Sequence, residues 1–293
     1  MTGICSQVSL FPVLRECRGN DLRMSFKDVI FLATHNSHTQ GSSNVLYNNQ
    51  DYSMYVQITT FGVQGLMIDI SQPSTEMKLA HWGTGTAYYG DFIPRMNNEV
   101  LRALNENPDL VLWFDLQIND NVSSEELTNA LAGIPGIRDM MFDLRSSVWN
   151  NHVEWPTLQE MIDANQRVVV LSDTLIHARA YTKSDPTQAA RFFYKQDIMW
   201  ENMYGNDEWN SCVARKYGDE HWTDQAEPTD KIAYPRASPG EVIIAWQIQG
   251  RRWSRLLTLN HFPTIGTQYQ ESNDMGMLDA HIYLCMQVHN LPR

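Results

Sequence analysis

Eight short apolar runs punctuate the chain, at 28–34, 65–70, 77–81, 109–116, 167–172, 241–247, 255–262 and 280–286. Several are bounded by Gly, Pro, Asn or Asp, as strand ends are. Between many of them the apolar spacing becomes helical. Asn98–Asn105 sets Val100, Leu101 and Leu104 on one face. Ser124–Ala132 opens on serine and two acids that suit the positive end of a helix dipole. Pro156–Ala164 begins at proline and aligns Leu158, Met161 and Ile162. Strands alternating with helices predict a mostly parallel sheet. Eight of them predict an α/β fold closed as a single TIM-type (β/α)8 barrel, with irregularity allowed. An open doubly wound sheet is the alternative, but no Gly-rich phosphate fingerprint follows the first strand. The aromatic and polar region 174–240 is expected to be an elaborated connection over the barrel. Residues 1–293 then make one domain, with 1–25 as an N-terminal loop segment.

The polar residues at the ends of the early runs carry the chemistry. DVIFLATHNSHT ends in His35, Asn36 and His38, GLMIDIS carries Asp69, MKLAHW carries His81 and DLVLWFDLQ carries Asp115. The strand C-termini of such a barrel converge on one mouth, which would make His35 and His81 neighbours there. Two histidines flanking a phosphodiester can divide acid–base work, one taking a proton from the attacking oxygen and the other giving one to the leaving oxygen. Asn36, Asp69 and Asp115 offer three oxygen ligands to a hard cation, Ca²⁺ or Mg²⁺, which would neutralise charge on phosphate oxygens. Each of these residues also has an ordinary structural reading, as a hydrogen-bonded histidine or a turn-capping acid. Asp115 fits that reading worst, since an acid inside WFDLQ is costly to bury without a partner. His38, beyond the strand, reads as a loop residue. His261, in LNHFP at another strand end, is the one later histidine of interest. There is no G-x-S-x-G, H-E-x-x-H or C-x-x-C spacing, and no organic cofactor is expected.

Composition narrows the partners. A formal charge of −12 argues against nucleic acid and against bulk attraction to anionic membranes. No run of 18 apolar residues predicts a transmembrane segment. The start lacks a secretory signal pattern, which leaves a cytosolic protein or, the reading favoured here, a mature secreted chain. Cys5 and Cys17 are close enough in sequence to staple an N-terminal loop, and Cys285 reads as a buried thiol. Trp82, Tyr88 and Tyr89 follow the second histidine motif and could form an aromatic rim for peripheral membrane contact or sugar stacking.

At these residues the chain resembles the phosphatidylinositol-specific phospholipase C X-domain superfamily, the PLC-like phosphodiesterases. ATHNSH at 33–38 resembles the first catalytic-histidine motif, GVQGLMIDI at 62–70 a Gly-Val-Arg-Gly-Leu-Met-Leu-Asp segment, and LAHW at 79–82 the second histidine. NPDLVLWFDLQ at 107–117 matches a helix-to-strand passage in which calcium-dependent members carry an acidic ligand at the place of Asp115. The resemblance spans most of 5–290 and is strongest over 26–117. It implies His35 as general base or transition-state stabiliser and His81 as general acid, an inositol hydroxyl attacking phosphorus, a cyclic phosphate product and release of diacylglycerol. The segment with Cys5 and Cys17 also resembles a paired-cysteine N-terminal loop of secreted members. Two positions depart from the pattern. Ser71 stands where metal-independent members have Arg and calcium-dependent ones Asp, and Gln64 replaces the usual Arg. Ser71, Trp82 and His261 are carried as substrate contacts. The alternatives are a sphingomyelinase D-like lyase of the same superfamily and an inactive barrel that binds a lipid headgroup or a protein.

Overall fold

The computed structural model describes residues 21–29, 31–40, 49–82, 86–119, 122–134, 136–143, 146–149, 152, 154–173, 193–195, 199–201 and 256–258. Seven strands form its central sheet: β1 (Ala33–Thr34), β2 (Gly65–Ser71), β3 (Lys78–Trp82), β4 (Thr86–Asp91), β5 (Leu112–Ile118), β6 (Val168–Ser172) and β7 (Phe193–Tyr194). Their order is β4-β3-β2-β5-β6-β7, with β1 also paired to β2. A separate parallel pair joins β8 (Met199–Glu201) to β9 (Leu256–Thr258). Among the described residues the sheet is open, so the expected closed barrel is not what they form.

Three further expectations change. Among its described residues the run 28–34 yields only the two-residue strand Ala33–Thr34, and its first residue, Asp28, closes a 3-10 turn. The run 77–81 does become β3, but antiparallel to β2, because the chain doubles back after Ser71. Strand β4 then continues the hairpin. Region 174–240 also does more than connect: β7 extends the sheet alongside β6. Runs 241–247 and 280–286 lie outside the described residues, as do the four cysteines and His261.

Alternation along the strands explains why 109–116 reads as one apolar run. Leu112, Phe114, Leu116 and Ile118 join Leu66, Ile68, Ile70, Val168 and Val170 on one face. Packed there are Met54 and Ile58 of helix α1 (Met54–Phe61), and Met96, Val100 and Leu104 of helix α2 (92–106). Helix α2 is built from Phe92–Arg95, a π-helical stretch Met96–Leu101, and Arg102–Glu106. Helix α3 (Ser124–Ala132) adds Leu127 and Leu131. On the opposite face Trp113, Val169 and Leu171 pack with Phe26, Phe142, Trp149 and Trp155. Each such side chain, fully buried, contributes about 1.5–3 kcal/mol. Both faces of β5 and β6 are therefore covered, and alternation of polar and apolar residues is not required of them.

Local signals fix the helix ends. Ser53 caps α1 by accepting from Val56 N–H, and Gly62 ends it in the left-handed region at φ 70°. Helix α4 is the single turn Ile137–Met140. Capping boxes start α3 at Ser123 with Glu126, and helix α5 (Leu158–Asp163) at Thr157 with Glu160. Pro156 thus precedes the N-cap of α5 instead of opening the helix. Gly65, the first residue of β2, is fixed by packing. A Cβ there would lie 2.4 Å from the Trp113 indole and 2.7 Å from Ala33 Cβ. Only glycine lets the indole cross β2 at that point.

Candidate active site

Strands β2 and β3 pair only at Ile70–Leu79 and Ser71–Lys78 and then part. The turn that follows β1, residues 35–38, fills the split. On the β2 side Ser37 N–H donates to Met67 O at 2.8 Å, and Met67 N–H donates to Ser37 Oγ at 3.0 Å. On the β3 side His38 Nε2–H donates to Ala80 O at 2.6 Å. The turn needs a left-handed residue, and Asn36 supplies it at φ 50°; asparagine tolerates that conformation better than most residues. Asn36 Nδ2 consequently reaches both Asn49 Oδ1, at 3.0 Å, and His81 Nε2, at 3.2 Å.

This wedge brings His35, Asn36 and His81 together, and it does so without the convergence of parallel strand ends expected from the sequence. Because β3 runs backwards, His81 returns towards the level of the β1 exit. The backbone of the turn is held from behind by Gln57 of α1. Thr34 Oγ1 donates to Gln57 Oε1 at 2.6 Å, and Gln57 Nε2 donates to Ser37 O at 2.8 Å and Tyr52 O at 2.7 Å. Gln50 Nε2 donates to His35 O at 2.6 Å. Gln57 is buried, and a polar residue buried with both ends satisfied fixes geometry well.

The two turn histidines are both held neutral at ordinary pH. Desolvation lowers His35 to about 4, with the charges of His81 and Lys195 acting in the same direction. Burial lowers His38 to about 3, and its bond to Ala80 O offsets only part of that. His38 is fully enclosed, with its ring edge-on to Tyr89 at 5.5 Å. Among the described residues its Nδ1 has no hydrogen-bond partner, so a second ring proton would find none of them to donate to. The loop residue expected from the sequence is in fact the brace between the first histidine motif and β3. Tyr89 faces inward because of a bulge: Tyr89 and Gly90 together oppose Leu79, and Gly90 sits at φ 101°. Of the expected aromatic rim, Tyr88 is exposed and Tyr89 is buried. The side chain of Trp82 is outside the described residues.

Asp69, Ser71 and Asp115 lie buried along the exit halves of β2 and β5. Parallel register sets Met67 beside Asp115 and Asp69 beside Gln117, so all share one face of the sheet. Burial, then the neighbouring Asp115 and Asp173, hold the Asp69 carboxyl well above the usual carboxylate range. Asp115 Oδ2 accepts from Lys195 Nζ at 2.5 Å. Lys195 follows the short aromatic run Phe193–Tyr194; two strand residues gave too little pattern for the sequence to flag it. The expected ligand set Asn36, Asp69 and Asp115 fits a divalent cation poorly. An ammonium already sits on Asp115, and a dication there would meet it. Among the described residues no three His, Cys, Asp or Glu side chains are grouped to hold a metal. Gln64 is explained by structure: its amide donates to Val111 O at 3.2 Å, at the N-terminal end of β5.

The family model described as PI-PLC X 1 matches residues 23–219, more than half of the 293-residue chain. The chain belongs to the PI-PLC X family. A PI-PLC X domain-containing protein of Arabidopsis thaliana is 26% identical over 204 residues, covering 66% of this chain and 45% of that protein. PI-PLC X domain-containing protein 1 of Arthroderma benhamiae is 27% identical over 182 residues, covering 57% and 55%. The chain thus spans about half the length of the curated PI-PLC X relatives it matches. Among solved structures, a phosphatidylinositol-specific phospholipase C from Listeria monocytogenes superposes at TM-score 0.48 with 12% identity, covering 65% of this chain and 67% of that one.

Proposed function

We propose that this PI-PLC X chain is a phospholipase C-like phosphodiesterase that cleaves a phospholipid, an inositol-type headgroup being favoured, with His35 as general base and His81 as general acid. A headgroup hydroxyl next to the phosphate gives its proton to the His35 ring as its oxygen attacks phosphorus. The bond from phosphorus to the diacylglycerol oxygen breaks, and His81 gives that oxygen a proton. The products are a cyclic phosphodiester and diacylglycerol, and water opens the ring in the reverse sense. The observation that carries this reading is the Asn36 bridge, which couples the His35 turn to His81 at 3.2 Å. The neutral His35 ring supports it, since only imidazole can accept a proton. Asn36 can turn its amide oxygen to His81 Nε2 when that nitrogen carries the proton.

The test is a panel of phospholipid vesicles with product identification. His35→Ala and His81→Ala should each lower turnover by roughly two to four orders of magnitude. Wild-type turnover in both variants refutes the assignment, and absence of a cyclic phosphate refutes the route.

A further inference from the structure

Lys195 and Asp115 form the most enclosed ion pair among the described residues, with side chains 10% and 4% exposed. Strand register explains the contact. Asp115 pairs with Leu171 across β5 and β6, and Leu171 pairs with Phe193 across β6 and β7. Lys195 comes two residues after Phe193, which returns it to the same face, and its four-carbon stem spans β6 to reach the carboxylate. That face also holds Asp69 and Asp173, and Asp69 is close enough to both Asp115 and Asp173 for their charges to interact. Asp173 is itself engaged with Ile118 N–H at 3.1 Å. A buried lysine is costly unless its charge is paired or used, and here Asp115 holds the ammonium in place. Asp115 is the register partner of Met67, whose carbonyl holds Ser37 of the histidine turn, so the ion pair sits one strand away from that turn, and the ammonium charge acts on His35.

Building on the phosphodiesterase reading, we infer that Lys195 is the cation of this active site: held by Asp115, its ammonium stabilises the charge that develops on the non-bridging phosphate oxygens, in place of a divalent ion. The step moves no proton to or from Lys195. Its ammonium contacts phosphate oxygens while the attacking P–O bond forms and the leaving P–O bond breaks. Ser71, at the end of β2, supplies no charge, and Lys195 follows directly after β7 on the same face of the sheet.

The full chain is assayed on phosphatidylinositol vesicles in EDTA and in excess Ca²⁺, and its thermal midpoint is recorded with and without Ca²⁺ and Mg²⁺. Wild-type turnover should agree within about two-fold in the two buffers, and neither cation should raise the midpoint. Lys195→Met should lower kcat by roughly 10²–10³-fold, the scale of one lost charge-stabilising donor, with a smaller change in KM. Lys195→Arg should restore part of it. If Lys195→Met does not fold, Asp115→Asn with Lys195→Met removes both charges at similar volume and should show the same kcat loss. Loss of wild-type activity in EDTA, a cation-dependent rise in the wild-type midpoint, or wild-type kcat in the methionine variants overturns the inference. If the wild type cleaves no phosphodiester in either buffer, the phosphodiesterase reading falls and Lys195's catalytic role with it. The thermal arm then reports only whether a divalent ion binds.

Discussion

His38 offers the sharpest test of how the site is braced, because one substitution separates its charge from its hydrogen bond. Its ring is lowered to about 3 in the fold, chiefly by burial, against about 6.5 in an unfolded chain. For a histidine depressed in the fold, stability is full above the unfolded value and falls as acid protonates the unfolded state first. Between about pH 6 and pH 4 the unfolded imidazole takes up nearly two pH units' worth of proton free energy that the folded ring does not. At about 1.4 kcal/mol per unit, this one side chain removes about 2.5 kcal/mol of stability over that range. His35, lowered to about 4, adds a similar slope, so the wild type alone cannot isolate the effect. The comparison is with His38→Gln, whose amide nitrogen replaces Nε2 and can still donate to Ala80 O, while nothing titrates. Urea unfolding of both proteins across this range should show the stability difference between them shifting by about 2.5 kcal/mol in favour of the variant as pH falls. Parallel pH profiles would show that His38 is not held neutral, and the bracing argument would fail with it.

Other outcomes follow from the same geometry. Gly65→Ala should destabilise the fold by about 1–3 kcal/mol, since its Cβ would press on Trp113 and Ala33; an unchanged denaturation midpoint would mean the indole has room to move. Gln57→Ala strips partners from Thr34 Oγ1, Ser37 O and Tyr52 O. It should cost about 1–3 kcal/mol and reduce kcat more than the stability loss alone explains; activity proportional to folded protein would contradict a positioning role. Turnover of His35→Ala and His81→Ala, measured on the same vesicles, decides the acid–base assignment.

The early part of the chain is legible in the sequence because its strands are covered on both faces or end in polar residues. The runs at 65–70, 109–116 and 167–172 become β2, β5 and β6, and Ser124–Ala132 becomes a helix, capped by Ser123. The closed barrel is an overreach of counting: an apolar run such as 77–81 looks the same whichever way its strand points, and direction is decided by the turn at 72–77. Strand β7 escapes notice because two residues carry no period. His35, Asn36 and His81 are visible as residue types at motif positions, but the reason they meet is not. Gln57 gives no sequence signal and His38 is flagged without its bracing role, because a buried glutamine and a buried histidine are recognised only by the backbone atoms they bind. Lys195 is invisible for a related reason, since its partner is 80 residues away.

The wedge between β2 and β3 has a consequence for how the protein tolerates change. Where the spacing of reactive groups is inherited from the apolar core, abundance and activity fall together when the core is altered. Here the spacing of the two histidines is written in small polar residues, Thr34, Ser37, Gln57 and Asn36, which bury little apolar area. In a deep substitution scan, conservative exchanges such as Leu to Met beneath β2 and β5 should leave both readouts near normal. Equally mild exchanges along 34–39 should leave the amount of folded protein high while activity collapses. This short stretch of hydroxyl and amide side chains would then be among the least forgiving parts of the chain.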